Sequence, residues 1–415
     1  MKLLWFHLMP YTDLPDDFKE RHPSVWVDID SRLFDPEKGH RMYNEFMDEL
    51  ELAAEVGFDG ICVNEHHSNG YGLMPSPNLI AASLARRTRD AAIVVMGNSL
   101  ALYNPPIRVA EEFAMLDCIS GGRLVAGFPV GTPMDTCYAY GMNPSQLRDR
   151  YHEAHDLILR AWTEAAPFVF NGRFTQLRYV NPWPRPVQKP HPPVWIPGGG
   201  SVETWRWCAE RDYVYAYLSY FGYQAGQATM NGFWEEMKRL GKDRNPFRAG
   251  FLQFVGVAET RQEAFDLYRG PAEYFYDRCL HVDARFATPP GYVTEATMRG
   301  KVVSQVLQAA QRSSDAKAFS APDFEEIVSK GYVVIGSPDE VAEQLREVAH
   351  SLNVGQLMLL LQFGNMDRQL TGHNTELFAK RVMPQLRGLF EDEWENRWWP
   401  RPLPERAAPR GVQPA

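Results

Sequence analysis

Glu65, His66 and His67 stand in a row within VNEHHSNGYG, residues 63–72. Imidazole titrates near neutral pH, so a histidine placed at a reacting atom can move a proton. The pair could instead ligate a metal, or simply satisfy hydrogen bonds at a turn. A catalytic zinc wants about three protein ligands in matched geometry. Neighbours on a strand face opposite ways, so both imidazoles converge only if the strand has already ended. No H-x-H, H-x-x-x-H or acidic cluster stands at another strand end. Proton handling by one histidine is the sharper reading, and locally bonded rings the bland one.

A second stretch, PGGGS at residues 197–201, follows an apolar run and opens a helix. Bare backbone there lets a ligand approach, and the free N–H groups of the helix start suit a single phosphate. An ordinary strand-to-helix turn rarely needs three glycines. Arg148, Arg150 and Tyr151 open another helix and could reach the same anion; alternatively the arginines are a solvated face. A third stretch, MGNS, ends a strand with Gly97 and Asn98, leaving room for a flat ligand against the backbone. A flat ring with a phosphate tail describes FMN.

Elements that place these stretches together can be read from periodicity. Eight apolar runs alternate with helical patterns: residues 1–7, 59–64, 91–100, RLVAGF, VWIPGGGS, DYVYAYLSYF, GFLQFVGVA and QLMLLLQF. Strict alternation predicts a parallel (β/α)8 TIM barrel, an α/β fold whose active face lies at the strand carboxyl ends. A doubly wound sheet is disfavoured because no G-x-G-x-x-G follows the first strand. One domain, residues 1–390, is expected, with insertions at about 165–192, containing a hairpin at Asn171–Gly172, and 270–330. A Trp- and Pro-rich tail follows at 391–415.

The 415 residues carry a net charge of −9 with no basic run, which argues against nucleic acid. Cys62, Cys118, Cys137, Cys208 and Cys279 are scattered and never spaced C-x-x-C, which fits a reducing cytosol. No apolar run nears the ~18 residues of a membrane span, and the opening MKLLWFHLMP does not read as a signal peptide. A cytoplasmic protein is expected.

Five pieces in register resemble the bacterial-luciferase-like family of flavin-dependent monooxygenases. They are GFDGICVNEHH, MGNSLALYNPPIRVAEEFAMLDCISGGRL, PPVWIPGGGSVET, GSPDEVAEQL and FGNMDRQLTGHNTELFAKRVMPQLR. The resemblance implies a barrel that binds reduced FMN, supplied by a separate NAD(P)H:flavin reductase. It further implies oxygen transfer from O2 to a small organic substrate through a flavin C4a-(hydro)peroxide. An insertion after strand seven would close over the site as a lid. The family's catalytic histidine falls on His66, its non-prolyl cis peptide on Gly97–Asn98, and its phosphate contacts on Gly199, Gly200 and Ser201. Luciferase itself has an arginine on the phosphate where Val130 stands here, and a cysteine where Pro129 stands. Tyr151 is the expected replacement contact.

Rim aromatics (Phe128, Tyr138, Tyr140, Tyr217, Tyr220, Phe221) fit an organic substrate. A homodimer is implied through helices two and three, with Leu79, Ile80, Ser83 and Leu84 on the shared face and Trp398–Trp399 bracing a neighbour. Rival readings are an F420-dependent dehydrogenase on the same barrel, a non-catalytic flavin-binding protein, and a metal-dependent hydrolase, which lacks the ligands.

Overall fold

A computed structural model describes residues 1–295, 297–298 and 322–404 of the chain. Its strands are β1 (Lys2–Phe6), β2 (Gly60–Val63), β3 (Ala92–Val95), β4 (Leu124–Gly127), β5 (Phe168–Asn171), β6 (Gln176–Val180), β7 (Val194–Gly198), β8 (Val214–Tyr217), β9 (Ala249–Val257), β10 (Val333–Gly336) and β11 (Gln356–Leu360). Eight of them, β1–β4, β7–β9 and β11, pair in parallel and close, because β9 bonds both β8 and β11. These are the eight expected apolar runs. Helices cover the outer face, so nearly every barrel-strand residue is buried and the runs are continuously apolar rather than alternating.

Local chemistry fixes the helix ends. Asp35 caps the helix Pro36–Glu55, accepting from the Glu37 and Lys38 N–H groups, with proline at the first helical position. The helix Ile107–Ser120 stops at Gly121, which is left-handed. A capping box between Ser337 and Glu340 starts the helix Pro338–Leu352.

Two insertions interrupt the repeat. The first contains the antiparallel β5–β6 hairpin; Asn171 still pairs with Gln176, so the turn runs over Gly172–Thr175, just beyond the expected Asn171–Gly172 start. The second follows β9: a helix Arg261–Tyr274 runs into a π-helical turn at Phe275–Cys279. Part of this insertion, residues 299–321, lies outside the described residues. Strand β10 was not expected. Its four residues pair with the distal half of β9, Val333 opposite Phe254, and only the nine-residue length of β9 makes room for it.

In the tail, Trp398 packs on its own barrel: its indole N–H donates to the Asp212 carbonyl at 2.7 Å, and Arg397 and Arg248 stand 4.0 and 4.9 Å from its ring. Leu403 N–H bonds the Gly121 carbonyl and Arg401 N–H the Gln188 side chain. The Trp195 indole N–H also reaches the Trp398 carbonyl at 3.4 Å. Asp212, Gly121 and Trp195 all lie just before or at the starts of barrel strands, so residues 391–404 cover the amino end, away from the active face. Residues 405–415 lie outside the described residues. On the helix Pro77–Arg87, Leu84 is in the core while Leu79 is 73% exposed, so the supposed shared face is split. Among the described residues no helix is long and apolar enough to cross a membrane.

Trp398→Ala is expected to cost roughly 3–5 kcal/mol, the usual loss for a buried tryptophan. Urea unfolding checks this. A midpoint unchanged from wild type would mean that the tail is only laid on the surface.

Candidate active site

A cavity of about 370 Å³ opens at the carboxyl ends of the barrel strands, at the lower end of the range for small-molecule sites. Its wall carries His66, Gly199, Gly200 and Ser201. Other expected site residues are elsewhere, and the differences are informative.

His66 follows β2, where the strand has ended and the chain turns. Its Nδ1 lies 2.9 Å from Asp135 Oδ2. Asp135 sits in a π-helical turn, Met134–Ala139, beyond β4. Its other oxygen accepts the His67 N–H at 2.8 Å, and the Thr132 hydroxyl donates to Oδ2 at 2.9 Å. Burial pushes the Asp135 carboxyl up, but the His66 charge and these hydrogen bonds outweigh it and hold the group below the ordinary value. An ionised carboxylate only accepts, so Nδ1 of His66 carries the hydrogen and Nε2 is left for the cavity. Tyr71 meets the imidazole edge-on at 4.7 Å and Trp26 at 5.7 Å.

His67 does different work. Its Nε2 lies 3.0 Å from Glu65 Oε1, which also accepts from the Tyr103 hydroxyl, while Oε2 takes the Ser99 N–H at 2.6 Å. The Glu65 carboxylate thus ties the end of β2 to the loop after β3. Gly97 serves this junction: a Cβ there would come 3.0 Å from the Glu65 nitrogen. Neither Gly97 nor Asn98 is on the cavity wall, which takes Met96 and Ser99 instead. Asn98 is fully buried, its N–H on the Gly127 carbonyl. The Gly97–Asn98 bond is trans. Cis peptides among the described residues all precede proline, at Asn104–Pro105, Trp183–Pro184 and Lys189–Pro190, where the cis form is cheapest.

Tyr151 does not reach the cavity. It is buried against β4, donating its hydroxyl to the Phe128 carbonyl at 2.8 Å. Arg148, nearly one turn earlier at the helix start, reaches the rim and donates to Ser201 Oγ at 3.1 Å. Its Nε is buried with no partner among the described residues. Beside it, a Cβ on Gly199 would meet nothing within 4 Å among the described residues. An unsatisfied guanidinium N–H next to bare backbone fits an anionic group such as a phosphate. Val130 and Pro129 line the same cavity.

Glu203 opposes that anion. Its carboxylate accepts from the hydroxyls of Thr294 (2.6 Å), Thr297 (2.8 Å) and Ser201 (2.9 Å). Burial raises its pKa, but hydrogen bonds from Thr294, its own N–H, Thr297 and Ser201 prevail and hold it at about 2. Through these threonines the insertion after β9 touches the cavity. A further buried atom without a partner among the described residues, Asn64 Oδ1, belongs to a residue of the wall at the end of β2 and fits a ligand N–H.

Sequence reading missed Asp135 and Glu203. Each stands one or two residues into a helical turn after a barrel strand, a position a carboxylate favours for the local amides alone, and so it carried no functional signal. Of the rim aromatics named, Tyr220 is on the wall, while Phe128 packs outside the barrel on Phe113 and Trp162.

The Asp135 shift has a consequence for acid stability. Its folded value is depressed, so between that value and the ordinary ~3.9 the unfolded chain binds more protons. The contribution is complete above about pH 4 and lost as pH falls through the folded value. Asp135→Asn is expected to be less stable than wild type at pH 7, with the gap in urea midpoint closing below about pH 4. A gap independent of pH would remove the ionised carboxylate from the account.

The chain is similar to several monooxygenases. The trigonelline monooxygenase oxygenase component of Acinetobacter baylyi, a flavin-dependent protein, is 30% identical over 180 residues, 42% of this chain and 48% of that one. The 4-hydroxyprotoasukamycin monooxygenase of Streptomyces nodosus subsp. asukaensis is 26% identical over 85% of this chain and 90% of its own. The oxygenating constituent of 3,6-diketocamphane monooxygenase from Pseudomonas putida, solved with FMN, superposes with a TM-score of 0.66 at 19% identity, covering 92% and 98% of the two chains. An F420-dependent secondary alcohol dehydrogenase superposes at 0.61 with 16% identity over 93% and 99%, so the fold alone does not choose the cofactor. The sequence profile of luciferase-like monooxygenases matches residues 30–355. With most of its length matched and its closed parallel barrel shared, the chain belongs to the luciferase-like monooxygenase family of flavin-dependent oxidoreductases.

Proposed function

We propose that this protein is the oxygenase component of a two-component system. It binds reduced FMN delivered by a separate NAD(P)H:flavin reductase and, with O2, oxygenates a small organic substrate. The observation that carries the reading is one cavity joining the His66–Asp135 pair to the Arg148–Gly199 anion site. When bound, reduced FMN would supply the electrons that activate O2. The chain's own residues do the rest. Arg148, with the backbone of Gly199 and Gly200, would hold the phosphate, and the Asn64 amide oxygen would accept from the ring. His66 Nε2 manages one proton while Asp135 fixes the ring and steadies its charged form. The described residues Tyr292–Thr294 and Thr297 close one side, which supports a lid that keeps water out.

Anaerobic titration with FMN, photoreduced FMN and F420, followed by mixing with aerated buffer, tests this. Tight binding of reduced FMN and flavin reoxidation on admission of air are expected. Binding of F420 with neither FMN form bound would overturn the proposal in favour of hydride transfer. A cytoplasmic homodimer is part of the same reading, supported by the exposed apolar side chains Leu79, Met115 and Ile119 on the helices Pro77–Arg87 and Ile107–Ser120. Light scattering that gives a monomer at micromolar concentration would refute the dimer.

A further inference from the structure

Tyr220 follows β8 and stands on the cavity wall. Its hydroxyl meets that of Tyr71, and its carbonyl accepts from the Tyr276 hydroxyl at 2.5 Å. Tyr71 is fully buried, stacked on Trp26 at 4.0 Å and set edge-on to His66. Among the described residues its hydroxyl has no second partner. One hydrogen lies between the two oxygens, and the question is whose. If Tyr220 donated, the Tyr71 hydrogen would be buried without an acceptor, the costlier arrangement. Tyr71 therefore donates, and the Tyr220 hydrogen is left for the cavity. Burial pushes the Tyr71 phenol up and, likewise, the Tyr220 phenol up to about 12, so both keep their protons at neutral pH.

The same cavity holds Nε2 of His66, which is an acceptor in the neutral imidazole, whose one hydrogen sits on Nδ1 toward Asp135. The wall thus offers one base and one fixed neutral donor. We propose that it selects a substrate whose hydroxyl sits on an sp² carbon, a phenol or enol, and that Tyr220 is the residue that reads it. The substrate O–H bond breaks, its proton forms Nε2–H on His66, and the oxyanion left behind accepts from the Tyr220 hydroxyl. Charge balances locally: the imidazolium lies between the Asp135 carboxylate and the substrate oxyanion. A saturated alcohol is too weak an acid for imidazole to ionise, whereas a phenol lies within reach and becomes electron-rich at the ring carbons. Phe6, Met96 and Leu218 give the ring an apolar wall. Other titratable groups facing this region are the Glu65–His67 pair, Cys279 near Tyr71, Tyr276 on the Tyr220 carbonyl, Tyr292 on the cavity wall, and Arg148 and Glu203 on the Ser201 side.

This inference rests on the proposed function only in placing the substrate in this cavity. The test uses 4-nitrophenol, whose ionisation is read from its own absorbance, with nitrobenzene as the ring without the hydroxyl. Full-length protein is titrated with each, with and without FMN, and FMN affinity is measured separately by fluorescence quenching. The expected result is 4-nitrophenol bound about tenfold or more tighter than nitrobenzene, with its ionisation midpoint lowered by about one pH unit. Tyr220→Phe should abolish most of that lowering and leave FMN affinity unchanged. Tyr71→Phe, which frees the Tyr220 hydroxyl without removing it, should give an intermediate value. Equal binding of the two probes, or an ionisation midpoint untouched by Tyr220→Phe, would overturn the inference. If FMN binds and the probes are not distinguished, this inference fails alone; if 4-nitrophenol ionises and FMN does not bind, the flavin reading fails instead.

Discussion

His66→Ala is expected to lower oxygenation by about 10²–10⁴-fold, the range for losing a positioned general acid or base, while reduced-FMN affinity changes little. Asp135→Asn should come close to it, for a different reason. The carboxylate only accepts, so it fixes the hydrogen on Nδ1 of His66 at 2.9 Å. An amide can donate instead, which turns Nδ1 into the acceptor and moves the hydrogen to Nε2, the atom that faces the cavity. It also withdraws the negative charge that steadies an imidazolium. The His67 N–H, which bonds the other carboxylate oxygen at 2.8 Å, keeps an acceptor in the variant, so the loop stays in place. Two readouts separate chemistry from folding. Nitrogen NMR should show the imidazole hydrogen on Nδ1 in wild type and on Nε2 in Asp135→Asn. The pH profile of turnover should lose its dependence on the imidazole in His66→Ala. Turnover within threefold of wild type in both variants would take this pair out of the chemistry.

Arg148→Met should weaken FMN binding by about 10–100-fold and leave riboflavin binding unchanged, because hydrogen bonds to a charged group contribute roughly 1.5–3 kcal/mol. The guanidinium gives one N–H to Ser201 and keeps another, Nε, buried without a partner among the described residues. A phosphate satisfies that N–H; a ribityl hydroxyl end does not bring the charge. Glu203 sets the opposite sign. Its carboxylate stays ionised throughout the neutral range and shares the Ser201 hydroxyl with the same site. Glu203→Gln should therefore tighten FMN binding severalfold, and more so at low salt, where charge repulsion is least screened. Fluorescence quenching by FMN and riboflavin at two ionic strengths decides the matter. An unchanged FMN-to-riboflavin ratio in Arg148→Met would move the phosphate site away from residues 198–201.

Much of the frame is legible in the chain itself. A buried parallel strand must be continuously apolar and a covering helix must repeat near 3.6, so eight runs and their helices declare a barrel before any contact is known. Such a barrel has its chemistry at the strand carboxyl ends, which singles out His66 after β2 and Gly199–Ser201 after β7. The Asn171–Gly172 hairpin and the helix caps are equally local, fixed by residues within a few positions of one another.

Everything that gives these residues a task is long-range. Asp135 is 69 positions from His66, Thr294 is 91 from Glu203, and Tyr220 is 149 from Tyr71. No periodicity couples such pairs; only closure of the barrel does. Tyr151 and Arg148 make the point within one helix. They share a turn, and either could have faced an anion, but the way the helix lies against β4 sends Tyr151 to the Phe128 carbonyl and Arg148 to the rim. The tail tryptophan is the same case, since Trp398 finds Asp212 across 186 positions. Sequence determined which segments meet at the barrel mouth, because strand burial and helix periodicity act over a few residues. Tertiary structure decided which side chains touch there, because those contacts depend on how rigid elements settle against one another once the barrel is closed.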